Sequence, residues 1–200
     1  MNLMARPLHP LAILALSACL LLLGAGRVEA APKKYHFELF SVNAKPEVKP
    51  DVAKNATPRV EGQVKKAFEK HPQLVAKLEG APEWKSAADA YRRFLASKGI
   101  SGAYLVSVEI TEASEELVPM EGKPGAQRLV VHVAIHMLGE NIPGRTMGFT
   151  GDGQATIKQE VGKKVRDRDR EYSWDQAAEI AVADAMTTVF KQLALPQKKQ

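Results

Sequence analysis

The sequence predicts an α+β, two-layer fold: a mixed sheet of about four strands with helices mainly on one face, in the order β-α-α-α-β-β-β-α. Three observations carry that expectation. Apolar residues recur at helical spacing in stretches between residues 57 and 99, then alternate with period two from Tyr104 to Lys158, and a broad helical pattern closes the chain from Ser173 to Leu193. The 200 residues are 45% hydrophobic and 26% charged, which suits one ordinary domain preceded by a processed end.

That end reads as a secretory signal peptide over residues 1–30. Arg6 and His9 precede an apolar run from Leu11 to Leu23, and Val28 and Ala30 stand at the minus-three and minus-one positions of a cleavage site between Ala30 and Ala31. The apolar run is shorter than the roughly 20 residues a spanning helix needs, so no transmembrane segment is expected after cleavage. Leu16-Ser17-Ala18-Cys19 also has the form of a lipobox, which makes lipidation of Cys19 the alternative processing route. Leu20 to Leu23 prolong the apolar core past that cysteine, which favours the later site. Cys19 is the only cysteine, so the chain from Ala31 onward can form no disulfide, although export would permit one. The expected location is periplasmic or extracellular, with a lipid anchor at Cys19 as the other possibility.

Residues 31–195 are expected to form a single domain, followed by a polar tail over 196–200. The net charge is +5, and loss of Arg6, Arg27 and Glu29 with the leader leaves +4. No basic run interleaved with aromatics appears, so nucleic acid is excluded as a partner.

In chain order, Tyr35 to Val42 is aromatic and β-branched enough for a first strand, and Pro46 and Pro50 end it. Lys45 to Asn55, rich in proline and charge, reads as a loop. Thr57-Pro58 offers a cap and a first-turn proline for a helix carrying Val60, Val64, Ala67 and Phe68, which stops at His71-Pro72. A short second helix with Leu74, Val75 and Leu78 runs to Gly80. The third starts near Glu83, with Trp84, Tyr91 and Leu95 on one face, and ends at Gly99, where Ile100 can pack back on the last turn.

Tyr104, Val106, Val108 and Ile110 then alternate with polar positions as the second strand. Thr111 to Ala126 reads as a loop, Arg128 to Leu138 as the third strand, and Thr146 to Lys158 as the fourth, with Met147, Phe149, Ala155 and Ile157 inward. Gly162 to Glu171 is a charged connector. Ser173-Trp174-Asp175-Gln176 has the form of a capping box for a last helix whose apolar face holds Ile180, Val182, Ala185, Met186, Val189, Phe190 and Leu193. The last three strands would form a meander that the first strand joins through a helical crossover.

His132 and His136 stand four apart. In a helix that spacing would chelate a metal, but Val130 to Met137 alternates as a strand, where four steps separate the Cα atoms by about 13 Å. One metal cannot take both rings, and the glutamate of an HExxH sequence is missing. The strand period instead places both rings on one face with Ser107, Glu109 and Thr111 of one neighbour and Thr150 and Asp152 of the other. A turn that pairs His136 with Gly148 would set His132 opposite Asp152. A cluster of His132, His136, Glu109 and Asp152 could bind a metal or act as a pH-sensitive contact surface, against the simpler reading of histidines on a wet sheet face.

Gly148-Phe149-Thr150-Gly151-Asp152-Gly153 lacks the Lys-Ser/Thr pair of a phosphate loop and continues as strand, so its glycines mark a bulge or a close backbone approach. There is no GxSxG, no thiol after the leader, and no nucleophile signature beside a histidine. No catalytic residue, cofactor or metal is assigned.

Ala90-Tyr91-Arg92-Arg93-Phe94-Leu95-Ala96-Ser97-Lys98-Gly99-Ile100 leading into Tyr104 to Val108, with the closing Ala178 to Met186, resembles small bacterial envelope α/β domains: the amino-terminal domain of TolB-type proteins and penicillin-binding-protein activator lipoproteins. The resemblance spans Trp84 to Leu193 and implies an envelope setting. The meander and the three helices after the first strand depart from it, so no functional residue carries over. The resulting expectation is an exported, non-enzymatic envelope protein that binds a protein or cell-wall component. Its rival is a small secreted enzyme or metal-binding protein using the His132 and His136 face.

Overall fold

A computed structural model describes residues 32–195 apart from residue 124; the expected leader, with Cys19, Ala30 and Ala31, and the tail over 196–200 lie outside the described residues. The architecture is α+β. Strands β1 (Lys34–Ala44), β2 (Ile100–Pro119), β3 (Gln127–Asn141) and β4 (Thr146–Val161) form one open mixed sheet in chain order. β1 runs parallel to β2, and the other neighbours are antiparallel. A parallel pair needs a long crossover, which α1 (Pro50–Lys70) and α2 (Ala88–Ser97) supply, and α3 (Asp167–Ala194) follows the meander. Among the described residues no helix is long and apolar enough to cross a membrane.

One face of the sheet carries the main core. Val106, Val108 and Ile110 on β2 and Leu129, Val131, Val133, Ile135 and Met137 on β3 are buried with Val60, Val64 and Phe68 of α1 and Ala177, Ala181, Ala185 and Val189 of α3. The smaller cluster of Tyr91, Leu95, Ile100, Ala103, Leu105 and Ile142 sits on the other face, where α2 and residues 75–84 cover only the start of β2. Gly99 ends α2 in the left-handed conformation at φ 66°, and Ile100 is buried behind it, as the sequence predicts.

Five elements differ from the expectation, one of them α2, which begins at Ala88 instead of near Glu83 because residues 84–86 form a turn. The loop over Lys45 to Asn55 ends early, because α1 begins at Pro50, a proline in the first helical turn, and carries Pro58 inside it. Val52, Ala56, Val60, Val64 and Phe68 form one continuous stripe against the core, and that burial outweighs the hydrogen bond that an interior proline forgoes. The short helix from Leu74 is absent. There Tyr35 N–H donates to the Gln73 carbonyl at 2.9 Å and Val75 N–H donates to the Tyr35 carbonyl at 2.8 Å, so the segment adds a bridge to the edge of β1.

Thr111 to Ala126 is mostly strand rather than loop. A bulge between Ile110 and Glu112 inserts one residue into β2, after which the ladder continues to Pro119 with inverted parity. At the other end, α3 begins at Asp167, so Ser173 lies inside the helix. Its hydroxyl donates to Gln159 Oε1 at 2.7 Å or the Asp169 carbonyl at 2.9 Å rather than capping an end. Arg166 grips Asp169 through Nε and Nη2 at 2.8 and 2.9 Å, and this hydrogen-bonded pair holds the Asp169 carboxyl below the usual carboxylate range. On the same end of the helix, Arg170 Nε and Trp174 Nε1 both donate to Glu115 of β2, at 2.6 and 2.8 Å.

Glycines set the distance between α3 and β4. A Cβ on Gly151 or Gly153 would collide with the backbone of Ala185 or Ala181, so the helix lies directly on the strand through small residues. Gly148 is the unpaired residue of a bulge opposite Gly139 and Glu140, and it turns Met147 out to 74% exposure instead of inward. Ile180, expected in the apolar face of α3, is likewise exposed because the alanine face takes its place. The outer edge of β4 is partly blunted by α3: Gln192 Oε1 accepts from Thr150 N–H at 3.1 Å and Asp184 Oδ2 from Gln154 N–H at 3.4 Å.

Candidate binding face

Period-two geometry sends Val130, His132, Ala134, His136 and Leu138 of β3 away from the helix-covered core, and all five remain half-exposed. Ser107, Glu109, Glu112, Ser114 and Glu116 flank them on β2, and Asp152, Gln154, Thr156 and Lys158 on β4, by ladder register. The result is a partly apolar central strip with polar and mainly acidic margins.

The register brings Glu109, His136 and Asp152 into one row across β2, β3 and β4. The expected pairing of His136 with Gly148 is corrected by four residues. His136 faces Asp152, and their Nδ1 and Oδ1 atoms stand 2.7 Å apart. His132 therefore faces Thr156 rather than Asp152, with 2.9 Å between Nδ1 and Oγ1, while its Nε2 lies 3.5 Å from Glu112 Oε2. Glu109 turns to Lys45 at 3.8 Å.

The four residues singled out from the sequence thus share a face but separate into two rows. Each histidine has spent one ring nitrogen on a cross-strand partner, and Glu109 is drawn toward a lysine. Among the described residues no three His, Cys, Asp or Glu side chains are placed to hold a metal ion. Chemically the rows offer hydrogen-bond donors, acceptors and exposed carboxylates such as Asp152 at 78%, on a surface open to a large partner. Glu112 and Thr156, the partners of His132, were hidden from the sequence reading: the Thr111 bulge moves Glu112 onto this face, and the length of the β3–β4 turn sets Thr156 opposite.

No family model matches the chain, and no curated protein matches it. Among solved structures it is similar to the rare lipoprotein B of Shewanella oneidensis, at 11% identity and a TM-score of 0.39 over 79% of this chain and all of that one. A DUF330 protein of Xanthomonas campestris overlaps 82% of this chain and 88% of its own length at 10% identity and a TM-score of 0.44. A minor lipoprotein of Acinetobacter baumannii overlaps 82% of this chain and all of its own at 10% identity and a TM-score of 0.40. These are neither the TolB-type nor the penicillin-binding-protein activator domains that the sequence suggests. Overlaps this loose transfer no residue role, and the functional reading rests on the chain's own residues.

Proposed function

We propose that this chain is an exported, non-enzymatic module of the cell envelope that binds a protein or cell-wall component through the outward face of β2, β3 and β4. The observation that carries the reading is the half-exposed row Val130, His132, Ala134, His136 and Leu138 at the centre of a sheet face that no helix covers along β3 and β4. A partly apolar centre inside a polar margin is the general layout of a protein interface. The signal sequence over residues 1–30 supports the envelope setting.

A photoactivatable residue placed in living cells at Gln154 or Thr156, both exposed on this face, tests the reading against one at Glu69, exposed on α1. The expected outcome is a discrete adduct from the two sheet positions and none from Glu69. Adducts from Glu69 alone would reject the face.

A further inference from the structure

The opposite side of the molecule carries a groove. Along the seam of α1 and α3, Ala67, Pro72, Ala183, Met186, Phe190 and Ala194 line an apolar groove of about 670 Å³, with Lys70 and Lys191 at its rim. That volume lies within the usual range of small-molecule sites, and so does the balance of many apolar groups to few charged ones.

Its wall is built rather than incidental. The His71 ring stacks on Phe190, with centroids 3.8 Å apart and planes within 8°. Burial pushes the His71 imidazole below the usual histidine range, so the stacked pair presents an uncharged surface at neutral pH. Tyr35 anchors the end of α3 from beneath by donating its hydroxyl to the Leu193 carbonyl at 3.1 Å. A second depression, of about 220 Å³, continues the groove along the same seam past Lys66 and Val182, sharing Ala67, Lys70 and Ala183 with it. The two depressions together form an elongated trough, which suits a linear alkyl chain better than a compact ring system.

Charge selects the head group. Lys66, Lys70 and Lys191 stand along the trough against one carboxylate, Glu179, and among the described residues none of the three ammonium groups lies within 4.0 Å of an acidic side chain. Lysines at helix C-termini also answer the helix dipole, but that effect does not account for the apolar trough between them.

We propose that this trough binds one single-chain amphiphile with an acidic head group, its alkyl chain along Ala67, Ala183, Met186 and Phe190 and its head group at Lys70 and Lys191. The site is independent of the sheet face, so either assignment can fail without the other.

The test is displacement of a fluorescent fatty acid from the purified exported protein by palmitate, and by uncharged hexadecanol, below the concentrations at which either aggregates. Wild type should bind palmitate saturably, one per chain. Ala183→Trp and Thr187→Trp, at two exposed positions lining the groove, should each abolish binding while circular dichroism and the thermal midpoint stay as in wild type. The double variant Lys70→Gln/Lys191→Gln should bind palmitate about tenfold more weakly and hexadecanol unchanged. Absence of saturable binding in wild type overturns the proposal, as does binding that survives both tryptophan variants. Equal loss of acid and alcohol in the glutamine variant overturns the acidic head group. Concentration-dependent dimerisation that Ala183→Trp abolishes, without palmitate binding, assigns the groove to a second copy instead.

Discussion

Val131, Val133 and Ile135 on β3 are buried beneath α1 and α3, whereas their direct chain neighbours Val130, His132, Ala134 and His136 stay half-exposed on the reverse side. Both sets alternate with the same period, and both contain apolar residues. What separates them is the neighbour each row meets. Two helices cover the first face over most of its length, and on the second α2 covers only the start of β2 around Ala103 and Leu105. A strand reveals that it has two faces; which of them receives a helix is decided by elements far away in the chain.

Truncating a side chain on each face should give the largest difference. Ile135→Ala should lower unfolding free energy by about 2–5 kcal/mol, because it leaves a cavity in the helix-covered core. Val130→Ala should cost about 1 kcal/mol or less, since its side chain already meets solvent. Urea unfolding of both variants measures the difference. Equal costs would mean that the outward face is covered in solution as well.

A smaller effect tests what holds the first turn of α3. Asp169 is held below the usual carboxylate range by its hydrogen bonds with Arg166, so its folded value lies under its unfolded value of about 3.9. A depressed carboxylate contributes stability that is fully present above the unfolded value and is lost as pH falls through the folded one. Thermal melts should therefore show Asp169→Asn less stable than wild type at pH 7, with the gap closing progressively below about pH 4. A gap independent of pH would show that the pair contributes packing alone.

Much of the fold was legible because single residues announced it. Gly99 marked the end of α2, the alternation through Val131 to Met137 marked β3, and the glycines from Gly148 to Gly153 marked a bulge and a close approach, both of which the fold contains. The candidate face was legible for the same reason, since period two puts His132 and His136 together whatever the register. The register itself was not. Thr111 looks like any strand residue, yet its bulge reverses the parity of β2 and brings Glu112 to His132. The start of α1 is equally hidden, because Pro50 and Pro58 fit a first turn equally well, and only the stripe from Val52 to Phe68 distinguishes them. The trough between α1 and α3 left no local mark at all. His71 reads as a stop signal and Phe190 as core, and their stacking exists only in three dimensions.

That the outward sheet face is the working surface is tested by adding charge to it. Asp152→Arg with Thr156→Arg alters two exposed positions of β4, gives up their cross-strand contacts with His136 and His132, and should move unfolding free energy by about 1 kcal/mol or less. Placed in cells with the photoactivatable residue at Gln154, this double variant is predicted to melt cooperatively within a few degrees of wild type and lose the partner adduct. An undiminished adduct from an equally stable double variant would contradict the account.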